Sequence, residues 1–171
     1  MKRRRFIGGV ALAPFAHAAF AAEYLTVDAA QRALFPDADQ FAAVSLAKGV
    51  AALGVGAARA VRLRAFAARK DSSLLGYVVV DDVIGKFEYI TYAVALTPAI
   101  AVAGIEILAY RESHGYEIRQ PAWRRQFVGK GADAPLKVGI DIANISGATL
   151  SSTHVTDGVR EIVQVAKASF A

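Results

Sequence analysis

The clearest pattern in the sequence is a helical stripe of apolar side chains near the C-terminal end. Between residues 155 and 170, apolar side chains recur every three or four positions, with polar or charged side chains between them. The stripe consists of Val155, Val159, Ile162, Val163, Ala166 and Phe170. This spacing predicts an amphipathic helix that buries one face. Residues 27–35 show similar spacing, with Thr26 before them and Pro36 after them, and predict another helix.

Four segments in the middle of the chain have the composition of β-strands. They alternate apolar and polar positions or are rich in valine, isoleucine and aromatic residues. The segments are 61–69, 74–82, 87–96 and 101–110. Short polar turns separate the later ones, so an antiparallel arrangement is expected. The sequence therefore predicts a single α+β domain in which an antiparallel β-meander packs against helices.

Three further segments carry weaker patterns. Residues 45–58, rich in alanine and glycine, predict a less regular helix, and residues 121–127 predict a short helix because they open with proline. Residues 138–142 predict a short strand before the last helix. The pair Asp81-Asp82 ends a predicted strand beside a Gly-Lys turn. We interpret this pair as solvated turn polarity rather than as a cation site.

The first 21 residues differ in character from the rest. Four consecutive basic residues, 2–5, precede an apolar run rich in alanine and glycine, and small residues then accumulate up to Ala21. This order predicts an export signal that is cleaved near Ala21 and leaves residues 22–171 as a single domain in the periplasm. The basic run followed by Phe6-Ile7 resembles a twin-arginine signal, which exports folded proteins. A general secretory signal has a similar basic start, so both routes remain open.

Removal of that leader changes the charge of the chain. The whole sequence contains 20 Lys and Arg against 15 Asp and Glu, and four of those cations but none of the anions lie in residues 1–21. The remaining 16 cations and 15 anions give a formal net charge of +1. We therefore expect no nucleic acid partner, because binding to phosphate backbones needs clustered surplus cations. The sequence has no cysteine, which excludes disulfides, thiolate metal sites and cysteine nucleophiles.

A cluster of hydroxyl side chains precedes and enters the last predicted helix. Six serines and threonines lie within eleven residues, around a Gly147-Ala148 pair. They are Ser146, Thr149, Ser151, Ser152, Thr153 and Thr156. A helix start needs one capping hydroxyl, whereas its unpaired N–H groups and its dipole favour an anion such as phosphate. From the residues alone, a phosphate site centred on Thr149 and a generously capped helix both remain open.

The turn Ser146-Gly147-Ala148-Thr149 resembles the flavinylation motif of the FMN-binding domain family. That family includes the flavin-carrying peripheral subunits of sodium-pumping NADH:quinone reductase and of the Rnf electron-transport complex. Three other segments look like family blocks in family order, so the similarity covers roughly residues 74–165. They are Gly85-Lys86, Glu112-Ser113-His114-Gly115 and the run Trp-Arg-Arg-Gln-Phe-Val-Gly-Lys at residues 123–130. Many members carry an acidic residue at the position occupied here by Ala143.

The resemblance implies a covalently bound FMN. In the family, the threonine that closes the motif, here Thr149, is esterified to the FMN phosphate by a magnesium-dependent flavin transferase. The chain is then expected to pass electrons between membrane or periplasmic redox partners. We expect the phosphate to lie beside the motif and the isoalloxazine ring to lie beside the loop after the last strand. The residues expected at the site besides Thr149 are Ser146, Gly147, Ala148, Ser151, Ser152, Glu112 and Gly115.

Two alternatives remain. The same pocket could hold FMN or another phosphate ligand without a covalent bond and without redox catalysis of its own. A hydrolase or transferase could use Thr149 or Ser151 as a nucleophile, which requires a positioned base. After residue 21 the sequence offers two histidines for that role, His114 and His154, with no triad pattern around them and no cysteine partners for a metal. We therefore expect an electron carrier or redox subunit rather than a self-contained enzyme.

Overall fold

The computed structural model describes residues 22–170, so the predicted export signal lies outside the described residues. Within this range six strands form one sheet, and every neighbouring pair is antiparallel. The strands are β1 (Ala22–Glu23), β2 (Gln40–Val44), β3 (Arg64–Lys70), β4 (Ser73–Ile84), β5 (Tyr89–Leu96) and β6 (Val102–Tyr110). Their order in the sheet is β1-β6-β5-β4-β3-β2. The predicted meander is confirmed as β3 to β6, and two strands that the sequence pattern did not indicate, β1 and β2, extend its edges.

Helices lie on both faces of the sheet. They are α1 (Val27–Leu34), α2 (Ala47–Ala52), α3 (Ala57–Ala60), α4 (Pro121–Arg124) and α5 (Thr149–Phe170), with short 3-10 segments at Tyr116–Arg119 and Arg125–Phe127. The helix predicted over 45–58 is thus divided into α2 and α3. Gly54, at a φ of +63°, lies between them. Among residues 22–170, no helix combines the length and the apolar character needed to cross a membrane.

The main core lies between α5 and one face of the sheet. The stripe residues that are fully buried there are Val155, Val159, Ile162, Val163 and Ala166. The predicted amphipathic helix is therefore confirmed. Burial of each large aliphatic side chain contributes about 1.5–3 kcal/mol, so this face fixes α5 on the sheet. At the end of the stripe, Phe170 stacks on Tyr77 with ring centroids 4.1 Å apart.

The opposite face of the sheet is covered by α1. Thr26 caps this helix by accepting a hydrogen bond from the N–H of Ala29 at 3.2 Å. Ala30 is fully buried in a second apolar cluster with Val78 and Val80 of β4. Because the middle of β4 is buried on both faces, Val78, Val79 and Val80 form a continuous apolar run there, unlike the alternating pattern of a half-exposed strand.

Residues 138–142 form a tight turn, so the strand predicted there is wrong. The Asp141 carboxylate accepts hydrogen bonds from the N–H groups of Leu136 (3.2 Å) and Lys137 (2.8 Å) and pairs with Lys130 at 3.0 Å. Although partial burial by itself raises the pKa of Asp141, these contacts leave the pKa below its ordinary value. A carboxylate that accepts hydrogen bonds from backbone N–H groups a few residues earlier folds the chain into a turn, even when the neighbouring side chains are apolar.

The interpretation of Asp81 as solvated turn polarity is also wrong, since Asp81 is fully buried. Its carboxylate forms a bidentate ion pair with Arg59 of α3, in which Nη2 donates at 2.8 Å, and it accepts a hydrogen bond from the Tyr92 hydroxyl. Arg59 also donates to Glu161 of α5 at 3.2 Å. Burial first, and the Asp81 charge second, raise the pKa of Tyr92. This ionic cluster joins α3, the sheet and α5.

Candidate functional site

Three chain segments meet around a cavity of about 360 Å³ at the start of α5. They contribute Lys86 and Phe87 from the turn between β4 and β5, residues 112–114 from the loop after β6, and residues 147–151 from the motif and the first turn of α5. The volume lies in the range of small-molecule and cofactor sites. The fold thus brings together three of the sequence blocks that resemble the FMN-binding family.

The first turn of α5 presents unpaired backbone donors to this cavity. The N–H groups of Thr149, Leu150 and Ser151 donate to no other group within residues 22–170, and the first internal bond of the helix runs from the N–H of Ser152 to the carbonyl of Ala148 at 2.9 Å. Because α5 has 22 residues, its dipole places partial positive charge at the same end. This end of the helix is suited to an anion.

Thr149 and Gly147 are both exposed at the cavity. The Thr149 hydroxyl accepts a hydrogen bond from Asn144 Nδ2 at 3.2 Å, which leaves its own proton free to donate. Gly147 has a φ of +80°, and a Cβ added there would meet no atom within 4 Å. Glycine therefore fits the backbone conformation and leaves open space beside the motif.

Two other hydroxyls of the cluster, those of Ser151 and Ser152, form hydrogen bonds within the protein. Ser151 lines the cavity, but its Oγ lies 2.9 Å from the Tyr110 hydroxyl. Tyr110 uses its own proton on the carbonyl of His114, so Ser151 must be the donor to Tyr110. Ser152, expected at the site, is fully buried and donates to Asn144 Oδ1 at 2.9 Å or to the carbonyl of Ala148 at 3.0 Å.

None of the described hydroxyls caps α5. Ser146 is exposed, lies outside the cavity lining and forms no hydrogen bond with another described residue. Thr156 donates to the carbonyl of Ser152 at 2.6 Å. Since no side chain among residues 22–170 accepts from the first-turn N–H groups, capping does not explain the six hydroxyls.

The loop after β6 lies directly against the motif. Gly115 is buried, with a φ of +96°, and a Cβ there would overlap the Cβ of Ala148 and the hydroxyl of Tyr110. Ala148 is itself only 5% exposed. This pair of small residues lets the loop and the start of α5 approach closely. In this arrangement Gly115 and Ala148 shape the site by packing, and Gly147 provides the open side.

Glu112 fixes the turn between β4 and β5. Its Oε1 accepts hydrogen bonds from three consecutive N–H groups, those of Lys86, Phe87 (2.6 Å) and Glu88 (3.0 Å). Partial burial by itself raises the pKa of Glu112, but the three donors outweigh it and lower the pKa. Glu112 lines the cavity, and its three hydrogen bonds hold the turn between β4 and β5 in place.

The two histidines occupy different positions. His114 lines the cavity, and its Nδ1 lies 2.9 Å from Ser113 Oγ. His154, in the second turn of α5, directs its Nδ1 to the carbonyl of Ile84 at 2.7 Å, away from the motif. Neither histidine bonds to Thr149 or Ser151, so the nucleophile–base contact that a hydrolase or transferase requires is absent from the described residues. Residues 22–170 also contain no cluster of side chains that could hold a metal ion.

A larger and shallower depression, of about 660 Å³, lies between residues 53–59 and the exposed side of α5. Its charged groups are already paired with one another. Arg59 binds Asp81 and Glu161, and Arg160 pairs with Asp157 at 2.7 Å. These pairs leave little net charge for a phosphate, so we assign the functional site to the smaller cavity at the start of α5.

Comparison with known proteins finds matches to the part of the chain that forms this cavity. Residues 85–164 match the family described as FMN-binding domain, a range that contains all three cavity-forming segments. Over 107 residues, the chain is 35% identical to one subunit of the proton-translocating ferredoxin:NAD(+) oxidoreductase complex of Clostridium ljungdahlii. That alignment covers 58% of this chain and 57% of the relative, so the chain spans little more than half the length of this curated protein.

A solved structure shares the fold. The crystal structure of NqrC from Shewanella oneidensis aligns with a TM-score of 0.54 over 81% of this chain and 85% of that chain. The sequences are 17% identical, so this likeness concerns the fold alone. The match to the FMN-binding domain family thus lies in residues 85–164, which carry the motif and the cavity around it.

Proposed function

We propose that the protein is an exported flavoprotein that carries FMN covalently on Thr149 and passes electrons between redox partners. The observation that carries this proposal is the arrangement at the start of α5. Three unpaired backbone N–H groups and the exposed Thr149 hydroxyl open into one cavity. The N–H groups stabilise a phosphate, and the hydroxyl supplies the oxygen of a phosphoester at the same place.

The residues around the cavity fit a flavin phosphate. Lys86 adds a positive charge to the lining, and Gly147 leaves room beside the backbone. Glu112 lies nearby, and its negative charge repels an anion. Three N–H groups already bind this carboxylate and reduce that repulsion. The phosphate contacts are therefore expected to come from the backbone of α5 and from Lys86, with the hydroxyls of Ser151 and Ser152 engaged within the protein.

Attachment would form an ester bond between Thr149 Oγ and the flavin phosphorus. Condensation with free FMN would have to expel water in an aqueous medium, so an activated donor such as FAD is needed. With FAD, the pyrophosphate bond breaks, AMP leaves and the threonine proton passes to a base or to solvent, without any change in oxidation state. A flavin transferase that uses magnesium is the proposed partner for this step.

Electron transfer is the role that suits a tethered flavin in this setting. When bound, FMN supplies the redox chemistry, and the protein supplies position and electrostatic environment. The relative from Clostridium ljungdahlii is, by its name, part of an oxidoreductase complex. We extend a comparable role to this chain, with membrane or periplasmic redox proteins as partners. A covalent bond suits export because a dissociating flavin would be lost outside the cytoplasm.

Export rests on the sequence of residues 1–21. We expect the mature protein to be recovered from the periplasm with its N-terminus near residue 22. N-terminal sequencing of protein from fractionated cells checks this expectation. An intact N-terminus on soluble cytoplasmic protein would contradict it.

The attachment site is tested by producing the chain with and without a co-expressed flavin transferase. We expect the parent to gain one FMN minus one water by intact mass and to stay yellow after denaturation. Thr149→Ala should lose this flavin, and Thr149→Ser should keep it because the hydroxyl remains. Thr153→Ala is the matched control, since Thr153 is a neighbouring threonine outside the cavity lining.

The same measurements separate the alternatives. Denaturation-resistant flavin on Thr149→Ala would show that the ester lies elsewhere. Flavin that is released on denaturation from every variant would support the non-covalent binding module. If the transferase leaves the parent unmodified, Ala143→Asp tests whether the acid found in many family members is required. Ala143 is exposed and its carbonyl accepts from Trp123 Nε1 at 2.8 Å through the backbone, so its side chain is free to change.

A further inference from the structure

Phe87 is an aromatic side chain held in an unusual place. It is 73% exposed, yet it lines the cavity at the start of α5. Single exposed apolar side chains are common on protein surfaces, so exposure alone carries no meaning. Its position at the wall of a cofactor-sized cavity is the informative feature, because such cavities are lined by apolar and aromatic groups that contact the ligand.

The turn that carries Phe87 is rigidly held. Glu112 Oε1 accepts from the N–H of Phe87 at 2.6 Å and from the N–H groups on both sides of it. The turn is closed by a hydrogen bond from the N–H of Gly85 to the carbonyl of Glu88 at 2.8 Å. His154 of α5 binds the carbonyl of Ile84 just before the turn. The backbone of Phe87 is consequently fixed relative to Thr149, although its side chain is exposed.

The Phe87 ring has an open face. The Lys86 ammonium lies 4.8 Å from the ring centroid, in the geometry of a cation–π contact. No aromatic ring among residues 22–170 stacks on Phe87. Leu150, 45% exposed in the first turn of α5, is the other large apolar side chain in the cavity lining. The cavity thus has one aromatic and one aliphatic wall beside the hydroxyl of Thr149.

We propose that Phe87 is the stacking platform for the isoalloxazine ring, with Leu150 as a second apolar contact. This inference rests on the proposed function, because it assumes that the flavin phosphate lies at Thr149. A flat aromatic ring gains from an offset stack on an aromatic side chain beyond the burial of its area. Neither residue takes part in the ester bond, so attachment and ring position are separate properties that different residues control.

The test uses the full chain loaded with flavin by a co-expressed transferase. Intact mass gives the extent of loading, and flavin fluorescence with iodide as a collisional quencher gives the exposure of the ring. Phe87→Ala should load like the parent but show an iodide quenching constant about 2- to 10-fold higher, the factor expected for one lost aromatic pair. Phe87→Trp should retain the stack, and its flavin fluorescence should be dimmer than in the parent because a stacked tryptophan quenches flavin by electron transfer.

Tyr116→Ala is the matched control, because Tyr116 is 62% exposed and lies outside the cavity lining. It should leave the quenching constant unchanged. Equal quenching in the parent and Phe87→Ala, at equal loading, would overturn the stacking role and leave the attachment to Thr149 intact. A parent without any bound flavin would overturn the proposed function instead.

Discussion

The Tyr110 hydroxyl lies 2.9 Å from Ser151 Oγ and donates to the carbonyl of His114. A single tyrosine at the end of β6 therefore ties the loop after that strand to the first turn of α5. Both residues are buried, and burial raises the pKa of Tyr110. The contact explains why a serine within the hydroxyl cluster is unavailable to a phosphate.

Ser151→Ala should therefore destabilise the domain rather than remove the flavin. We expect a loss of about 1 kcal/mol in the free energy of unfolding, with little change in covalent loading by intact mass. Tyr110→Phe and the double variant complete a double-mutant cycle in urea unfolding. A coupling near zero would show that the hydrogen bond contributes nothing. Loss of flavin from a stable Ser151→Ala protein would show that this hydroxyl contacts the phosphate after all.

Glu112 makes the stability of the domain depend on pH. Its pKa is lowered in the folded protein, so the carboxylate contributes stability above its unfolded pKa of about 4.5, and this contribution is lost as the pH falls through the lower folded value. Glu112→Gln should cost on the order of 1 kcal/mol at neutral pH, after allowance for solvent screening. The difference from the parent should shrink towards pH 3.

Urea unfolding at several pH values checks this expectation, with Glu88→Gln as the control. Glu88 is exposed on the same turn, and its side chain makes no hydrogen bond or ion pair with another described residue. A constant difference between Glu112→Gln and the parent from pH 3 to pH 7 would contradict the linkage argument.

The sequence predicted the elements that depend on local patterns. The stripe of α5 and the alternation of the central strands reflect burial, which acts on every residue of an element. The hydroxyl cluster was harder to interpret, because consecutive helical residues point in directions about 100° apart. Thr149 faces the cavity, while Ser152 faces the core. Composition indicated a candidate site at the start of α5 but not which hydroxyl each neighbour would engage.

The contacts of two carboxylates, those of Asp81 and Asp141, account for the two errors. Asp81 pairs with Arg59, 22 positions earlier and in a segment between the helix predicted over 45–58 and the strand predicted over 61–69. A single sequence does not reveal that this segment folds back over the end of β4. The apolar run around Asp141 fits a strand by composition, but Lys130 and two backbone N–H groups draw the carboxylate into a turn. In both cases the contacts of one carboxylate outweighed the local apolar pattern.

The buried pair of Arg59 and Asp81 should be costly to break from either side. Asp81 is fully buried, and removal of one partner of such a pair leaves an uncompensated charge, which typically costs about 3–5 kcal/mol. We expect Arg59→Met and Asp81→Asn each to destabilise the domain strongly. The double variant should lose less than the sum of the two. Urea unfolding measures all three.

Arg62→Met provides the control for this pair. Arg62 donates to the Tyr89 hydroxyl at 3.0 Å in an exposed contact, so its loss should cost less than about 1 kcal/mol. Equal effects of Arg59→Met and Arg62→Met would show that burial does not strengthen the Arg59 contact. The result would also bear on residues 22–84, which lie outside the family match yet supply Arg59 and more than half of the strands.

Gly158 tests how closely α5 sits on the same cluster. Replacement of an interior helical glycine by alanine ordinarily stabilises a helix by about 1 kcal/mol. At this position a Cβ would overlap the Tyr92 hydroxyl and lie 3.1 Å from Val83 Cγ1 and 3.2 Å from Asp81 Oδ2. Since Tyr92 is held by its hydrogen bond to Asp81, it has little freedom to move. We expect Gly158→Ala to lower the free energy of unfolding by about 1–3 kcal/mol, as overpacking of a core does.

The Tyr92→Phe background identifies the cause of that loss. Without the hydroxyl, the space that the new methyl group needs becomes available, so Gly158→Ala should cost less in Tyr92→Phe than in the parent, although Tyr92→Phe is itself destabilising because Asp81 loses a donor. Thermal or urea unfolding of the four proteins gives the comparison. Identical costs in the two backgrounds would place the strain elsewhere on α5. A stabilised Gly158→Ala would show that the helix can shift on the sheet, and the fixed position of Thr149 relative to Phe87 would then lose its support.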